Sequence, residues 1–420
     1  MPPLRKSPAT VNPRTQPARR STTVTPDTPQ ISPPNVVSKQ AKKERKQAWL
    51  RLGKAGLWLA LWLGLIDLGI NLFFPYPTDV RKANPLSQYF EYGRSIEGKL
   101  NRMIKDTVED SAPIVEAGWI EPNRWRKLHQ TPLAGDDLLV ASYGMSFSED
   151  VAIALTEIDN QMTQRIVVGP SAPANHTFAS FIADTEGQNA DVAVFGVLAS
   201  SVKRMGSLSG TSWTPENPAP YTYPYYSLDN EQNLVAVVPS IQTADEFIEA
   251  FNQRNEQWQQ LKQQMKQYDQ SFDPLVFYHN ISDRSAIVRL IRRGWAHRAK
   301  QLAKTALYDP EQGFNPDASE IQTLNVLLSE FARIAKAADQ QPIVLLINDQ
   351  GYGDHLYQVL SPQLDELDID VLSTHSIASA DDPSHFLEDS HFTAEVNREI
   401  ATVLQQMIRN PQSSLPLEKN

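Results

Sequence analysis

Three features predict an α/β fold built on a parallel sheet. Apolar runs of strand length are followed by helical patterns: DLLVASYG at 137–144 precedes SEDVAIALTEI, RIVVG at 165–169 precedes HTFASFIADT, and PIVLLIND at 342–349 precedes DHLYQVLSPQLDEL. DVAVFGVLA, NLVAVVPS and IDVLST read as further strands of the same kind. These runs are nearly continuous Val, Ile and Leu, the composition of strands covered on both faces. At 420 residues the chain has room for one large domain with appendages.

The N-terminal elements come first. Residues 1–38 hold nine prolines among Ser, Thr, Asn and Gln, too few large apolar side chains to offset chain entropy. Residues 1–54 are therefore predicted to be a disordered, basic tail. Charge divides the chain: residues 1–55 carry twelve Lys and Arg against Asp27 and Glu44, a net +10. The remainder holds 27 basic against 47 acidic residues, a net −20.

Between these regions lies AGLWLALWLGLIDLGINLFF, Ala55 to Phe74, whose twenty residues match the ~20 needed to cross a ~30 Å hydrocarbon core. Asp67 costs roughly 2.5 to 3.5 kcal/mol there, and each Leu, Ile or Phe returns roughly 0.3 to 0.6. The segment holds eleven of these residues, enough to offset the carboxylate. A cleavable signal peptide would have a shorter apolar region and small residues after it, whereas FFPYP follows, so 55–74 is predicted to be an uncleaved transmembrane anchor. Lys39, Lys42, Lys43, Arg45, Lys46, Arg51 and Lys54 place the N-terminus in the cytoplasm by the positive-inside rule. The absence of cysteine suits a disulfide-free domain in a bacterial envelope, which gives a single-pass protein of the inner membrane with a periplasmic body. Asp67 and Asn71 share a helix face, where they offer a polar contact to a second membrane helix.

Residues 75–135, with the helical stretch LSQYFEYGRSIEGKLNRMI, read as a juxtamembrane stalk or first layer. The α/β domain is placed at 136–410. Residues 206–335 interrupt its rhythm with a Tyr/Pro-rich loop and several helices.

Two segments carry chemistry. In SYGMSFSEDVAIAL, 142–155, a strand ends, Gly144 allows a tight turn, and Ser148, Glu149 and Asp150 begin a helix. Ser146 therefore stands at the handover, either as one more capping serine or as a nucleophile beside the positive helix end. In FLEDSHFTAEVNREIATVL, 386–404, His391 precedes an amphipathic helix, with Glu388 and Asp389 just before it. A carboxylate there can orient the imidazole, leaving its other nitrogen to take the serine proton.

On these residues the chain resembles the SGNH (GDSL-like) hydrolases. GMSFS at 144–148 is similar to their first block, GDSxS, and EDSHFTAEVNREIA at 388–401 to their last, DxxH followed by a helix. The resemblance covers roughly 136–408 and implies a flavodoxin-like three-layer sandwich of about five parallel strands, with the site at their carboxyl ends. It implies catalysis by Ser146 and His391 with Glu388 as the aligned acid. Asp389 fits instead the D-x-H arrangement of alginate-acetylating relatives and implies a carbohydrate link. Met145 stands where the family has Asp. The family's oxyanion glycine falls at Gly169 or the residues just after it, and its asparagine has no counterpart after DVAVFG, where Ser200 and Ser201 are the hydroxyl-bearing substitutes.

The expected activity is that of a serine esterase or O-acyltransferase working through an acyl-enzyme on Ser146, with an acyl ester or envelope polysaccharide as substrate. The other reading is a catalytically silent glycan-binding or scaffold protein of the envelope. No cofactor and no metal are assigned: His279, His297, His355, His375 and His385 form no ligand pattern. GYGDH at 351–355 lacks the spacing of a dinucleotide loop and reads as a turn. A body at −20 repels phosphates, so nucleic acid is not expected as a partner. The helix 288–304 reads as a solvated basic face, with anionic lipid or polymer as the alternative contact. The rings of WTPENPAPYTYPYY, 213–226, either stack on sugars or pack against the domain.

Overall fold

A computed structural model describes residues 36–77, 84–105, 116–134, 137–169 and 173–410. Most of the predicted tail, 1–35, lies outside the described residues. Helix α1 runs from Val36 to Phe73, so the helix begins well before the predicted boundary at 55. The reason is local: after Pro34 the sequence KQAKKERKQAWLRLGKA consists almost wholly of strong helix formers, which extend the apolar helix backwards. Within Lys42–Phe73 it is long and apolar enough to cross a membrane.

The body is α/β. β1 (Leu138–Gly144), α2 (Ser146–Ile158), β2 (Met162–Val168), α3 (Ala174–Asp184) and β3 (Val192–Leu198) follow in turn. An insertion then holds the hairpin strands β4 (Tyr225–Leu228) and β5 (Leu234–Val237) and the helix α4 (Ala286–Leu307). The core resumes with α5 (Ser319–Ala337), β6 (Gln341–Ile347), α6 (His355–Leu367), β7 (Asp370–Ser373) and α7 (Ala394–Arg409).

The main sheet has five strands, all parallel, in the order β2-β1-β3-β6-β7. Its register sets Leu138 opposite Met162, Val140 opposite Val192, and Ile343 opposite Asp370. Side chains alternate between two cores. Leu139, Ala141, Tyr143, Ala193, Phe195, Val197, Val344 and Leu346 face α3, α5 and α6. Val140, Val192, Val194, Ile343, Leu345 and Ile347 face α2 and α7. Burial on both sides explains why these strands read as unbroken apolar runs. Each fully buried Leu, Ile, Val or Phe contributes about 1.5 to 3 kcal/mol.

One predicted strand belongs elsewhere. NLVAVVPS supplies β5, which pairs antiparallel with β4 outside the main sheet and leaves Val235 and Val238 exposed. The helix that follows it, Ala244–Gln253, buries Phe247 and Phe251 in another core, and only Leu234 of the strand packs on the main one. The insertion also ends earlier than expected, because α5 packs on the main sheet. The predicted stalk is not free-standing: Ile96, Leu100, Ile104 and Trp119 are buried in a third core with Leu208, Tyr221, Tyr223, Phe247, Trp258 and Phe277 of the insertion. Tyr221 and Tyr223 are 1% exposed, so these rings of the 213–226 loop serve packing.

Asp67 has partners within its own chain. Its Oδ1 accepts from Ser285 Oγ and from the Ile287 N–H, both at 2.9 Å, at the start of α4. Arg289 donates to Asn71 Oδ1 at 3.1 Å. An acidic acceptor at a helix N-terminus satisfies an orphan N–H and opposes the helix dipole, an effect of about 0.5 to 2 kcal/mol.

Candidate active site

The β1–α2 junction places the serine. Met145 is the N-cap in extended conformation, and its buried side chain joins the core beneath α2. Ser146 opens the helix, and Phe147, Val151 and Leu155 form its buried face. Ser148 is wedged between strands: a Cβ on Gly144 or Gly196 would overlap its hydroxyl. Glycine at both positions is what lets the strands close on the first turn of α2.

A hairpin places the histidine. Phe386 and Phe392 bridge antiparallel, Leu387 N–H donates to the His391 carbonyl at 2.7 Å, and Ser390 N–H donates to Leu387 O at 2.9 Å. Ser390 takes φ +72°, the left-handed residue that closes a three-residue hairpin loop. A non-glycine residue held there stores about 1 to 2 kcal/mol of strain. Asp389 Oδ1 accepts the His391 backbone N–H at 3.1 Å, which anchors the carboxylate beside the ring.

These two loops meet. Ser146 Oγ lies 2.8 Å from His391 Nε2. On the other side of the ring, Asp389 Oδ2 lies 3.3 Å from Nδ1, but off the hydrogen-bond direction, so Nδ1 has no formal hydrogen-bond partner. Phe147 stacks on the imidazole with centroids 4.6 Å apart. The site is open: Ser146 is half-buried and the Asp389 side chain is 68% exposed. The backbone N–H of His391, then its ring, hold the Asp389 carboxyl below the usual range.

Of the two acids, Asp389 is the one beside the ring. Glu388, the aligned choice, occupies the exposed tip of the hairpin, because the turn carries the residue three before His391 away from it. Asp150 was not proposed as a site residue, yet it lies close enough to feel His391. Burial pushes its carboxyl up, against the opposing pull of the imidazole. The signal was present in the spacing: Asp150 follows Ser146 by four positions and so shares its helix face.

The proposed oxyanion donors are engaged elsewhere. Gly169 N–H donates to the Gly144 carbonyl at 3.0 Å, extending the β1–β2 ladder, and its missing Cβ makes room for the His176 ring. Ser200 spends its N–H on Asp349 Oδ1 at 3.0 Å. Ser201 Oγ donates to the Leu198 carbonyl at 2.8 Å. Residues 170–172, just after Gly169, lie outside the described residues. Among the described residues, the first-turn N–H groups of α2, which opens at Ser146, receive no side-chain cap from Met145.

Among the described residues, no group of three or more His, Asp and Glu is arranged to hold a metal ion. A cleft of about 200 Å³ lined by Tyr225, Ser227, Gln270 and Glu320 includes neither Ser146 nor His391. No protein-family model, curated protein or solved structure matches this chain.

Proposed function

We propose that this chain is a membrane-anchored serine esterase or O-acyltransferase of the SGNH type, acting outside the cytoplasm on acyl esters, with an envelope polysaccharide as the substrate class. The observation that carries this reading is the 2.8 Å approach of Ser146 Oγ to His391 Nε2, with an acid at the opposite nitrogen. An exposed site also suits a polymer, which needs open access on both sides. The apolar helix and its basic flank support anchoring in a bacterial inner membrane with the N-terminus in the cytoplasm.

In the first half-reaction Ser146 Oγ attacks the ester carbonyl carbon while Nε2 of His391 takes its proton. The charge that develops on the carbonyl oxygen faces the N-terminus of α2. The bond to the alcohol then breaks, the alcohol oxygen receives the proton from His391, and an acyl-enzyme remains. Water or a sugar hydroxyl attacks in turn, gives its proton to Nε2, and releases Ser146 with its proton restored. Water makes the protein an esterase; a sugar makes it a transferase. Asp389 favours the imidazolium formed in each half.

The competing reading is a silent glycan-binding or scaffold protein, and the engaged N–H and hydroxyl groups of Gly169, Ser200 and Ser201 favour it. A fluorophosphonate probe separates the two. Catalysis requires labelling of the wild type and its loss in Ser146→Ala and His391→Ala; no labelling of a folded wild type overturns it. Hydrolysis of an acetyl ester with and without oligosaccharide then distinguishes the acceptors.

A further inference from the structure

Helix α4 is the most basic surface element outside the tail. It carries Arg289, Arg292, Arg293, His297, Arg298, Lys300 and Lys304 and no acid at all, in the part of the chain whose net charge is −20. Arg289 and Arg292 are buried; Arg292 pairs with Asp283. Arg298 is exposed, whereas Lys300, on the opposite side of the helix, pairs with Glu216 of the body at 3.7 Å. On the same helix Ile291, Trp295 and Leu302 are 65%, 55% and 63% exposed, and their spacing of four and seven residues puts them on one side. Three large apolar side chains in a row, with Arg298 among them, make an exposed apolar patch of the kind that marks a contact surface.

The depth at which this helix starts is set by α1. The turns of α1 that carry Asp67 and Asn71 hold the start of α4, and the same turns leave Leu68, Leu72 and Phe73 exposed. If α1 spans a bilayer, those leucines and the phenylalanine lie at the outer edge of the hydrocarbon. The start of α4, hydrogen-bonded to the same turns, lies at that edge too. The uninterrupted apolar stretch from Ala55 to Ile66 covers only about 18 Å at 1.5 Å per residue, well short of ~30 Å, so the outer boundary requires apolar surface beyond Asp67. Trp295 has the character of such a boundary: its ring is exposed while its Nε1–H donates to Asp273 at 2.7 Å.

We propose that α4 is a membrane-surface helix that seats the domain on an anionic bilayer. Ile291, Trp295 and Leu302 enter the boundary between headgroups and acyl chains, and Arg298, seven residues after Ile291 and so on the same side, meets lipid phosphate. This rests on α1 being a membrane span.

The chain has no cysteine, so single cysteines report without background. Nitroxide labels at Leu302→Cys, Leu61→Cys and Glu399→Cys in the full chain, reconstituted in phosphatidylcholine vesicles with phosphatidylglycerol, are read by accessibility to oxygen and to a water-soluble nickel chelate. Labels at 61 and 302 are expected to favour oxygen severalfold over the label at 399, which sits on the exposed side of α7. Arg298→Glu is expected to lower the oxygen preference of the 302 label severalfold. A 302 label that matches 399 while 61 favours oxygen overturns the proposal and leaves the anchor standing. A 61 label open to nickel overturns the anchor itself. Dipolar broadening at 302 assigns the face to a second copy of the chain, which also overturns the lipid proposal.

Discussion

The ring of Phe147 lies over the imidazole of His391 with 19° between their planes, and it meets Phe392 edge-on at 5.4 Å. The residue next to the serine therefore fixes the tilt of the residue that would take the serine's proton. Phe147→Leu keeps most of the buried volume and removes the stacking surface. It is expected to lower the fluorophosphonate labelling rate by about 10-fold to 100-fold through misplacement of the base. Its thermal midpoint separates this from loss of fold, since volume-conserving apolar exchanges cost less than about 1.5 kcal/mol.

The two acids of the hairpin should behave differently. Asp389→Asn is expected to slow labelling roughly 10-fold, below the ~10² to 10⁴ of a buried acid–base group because the carboxylate is largely in water. Glu388→Gln is expected to leave the rate unchanged. Equal effects from both variants would remove Asp389 from its assigned place beside Nδ1.

Ser148 offers a test of the packing beneath the site. Its hydroxyl is buried without a partner, so Ser148→Ala is expected to raise stability by about 1 kcal/mol and to leave labelling intact. Gly196→Ala is expected to cost about 1 to 3 kcal/mol, because the new methyl meets that hydroxyl. Combining the two should recover at least about 0.5 kcal/mol, measured by denaturant unfolding as a double-mutant cycle.

Asp269 makes stability depend on pH in a predictable direction. It is buried, and burial pushes its carboxyl up to about 7. The native state then holds a proton that the unfolded chain releases above its ordinary value of 3.8. Its contribution is complete below that value and is lost as the pH rises through about 7. Asp269→Asn removes this term, so relative to wild type the variant is expected to gain on the order of 3 to 4 kcal/mol between pH 4 and pH 8. Buried His176, whose imidazole is pushed down to about 4, slopes the other way between 6.5 and 4. Wild-type unfolding alone therefore conceals both, and the difference between the two proteins is the measurement that exposes Asp269. A pH-independent difference would contradict the assignment.

Local pattern was enough to read the α/β class, the apolar helix and the serine and histidine themselves. Val, Ile and Leu runs declare buried strands through their own composition. Ser146 and His391 were legible because each sits at a junction whose turn and helix signals lie within a few neighbouring positions. Tertiary structure decided everything that depends on which groups meet. Asp389 rather than Glu388 reaches the ring because a left-handed Ser390 closes the hairpin, a backbone state that sequence order alone does not reveal. Gly169, Ser200 and Ser201 look available in sequence, but their donors are consumed by Gly144, Asp349 and Leu198. Asp67 finds its partner 218 and 220 positions away, at Ser285 and Ile287. Periodicity is encoded by near neighbours, whereas hydrogen-bond partners across such distances are chosen by packing.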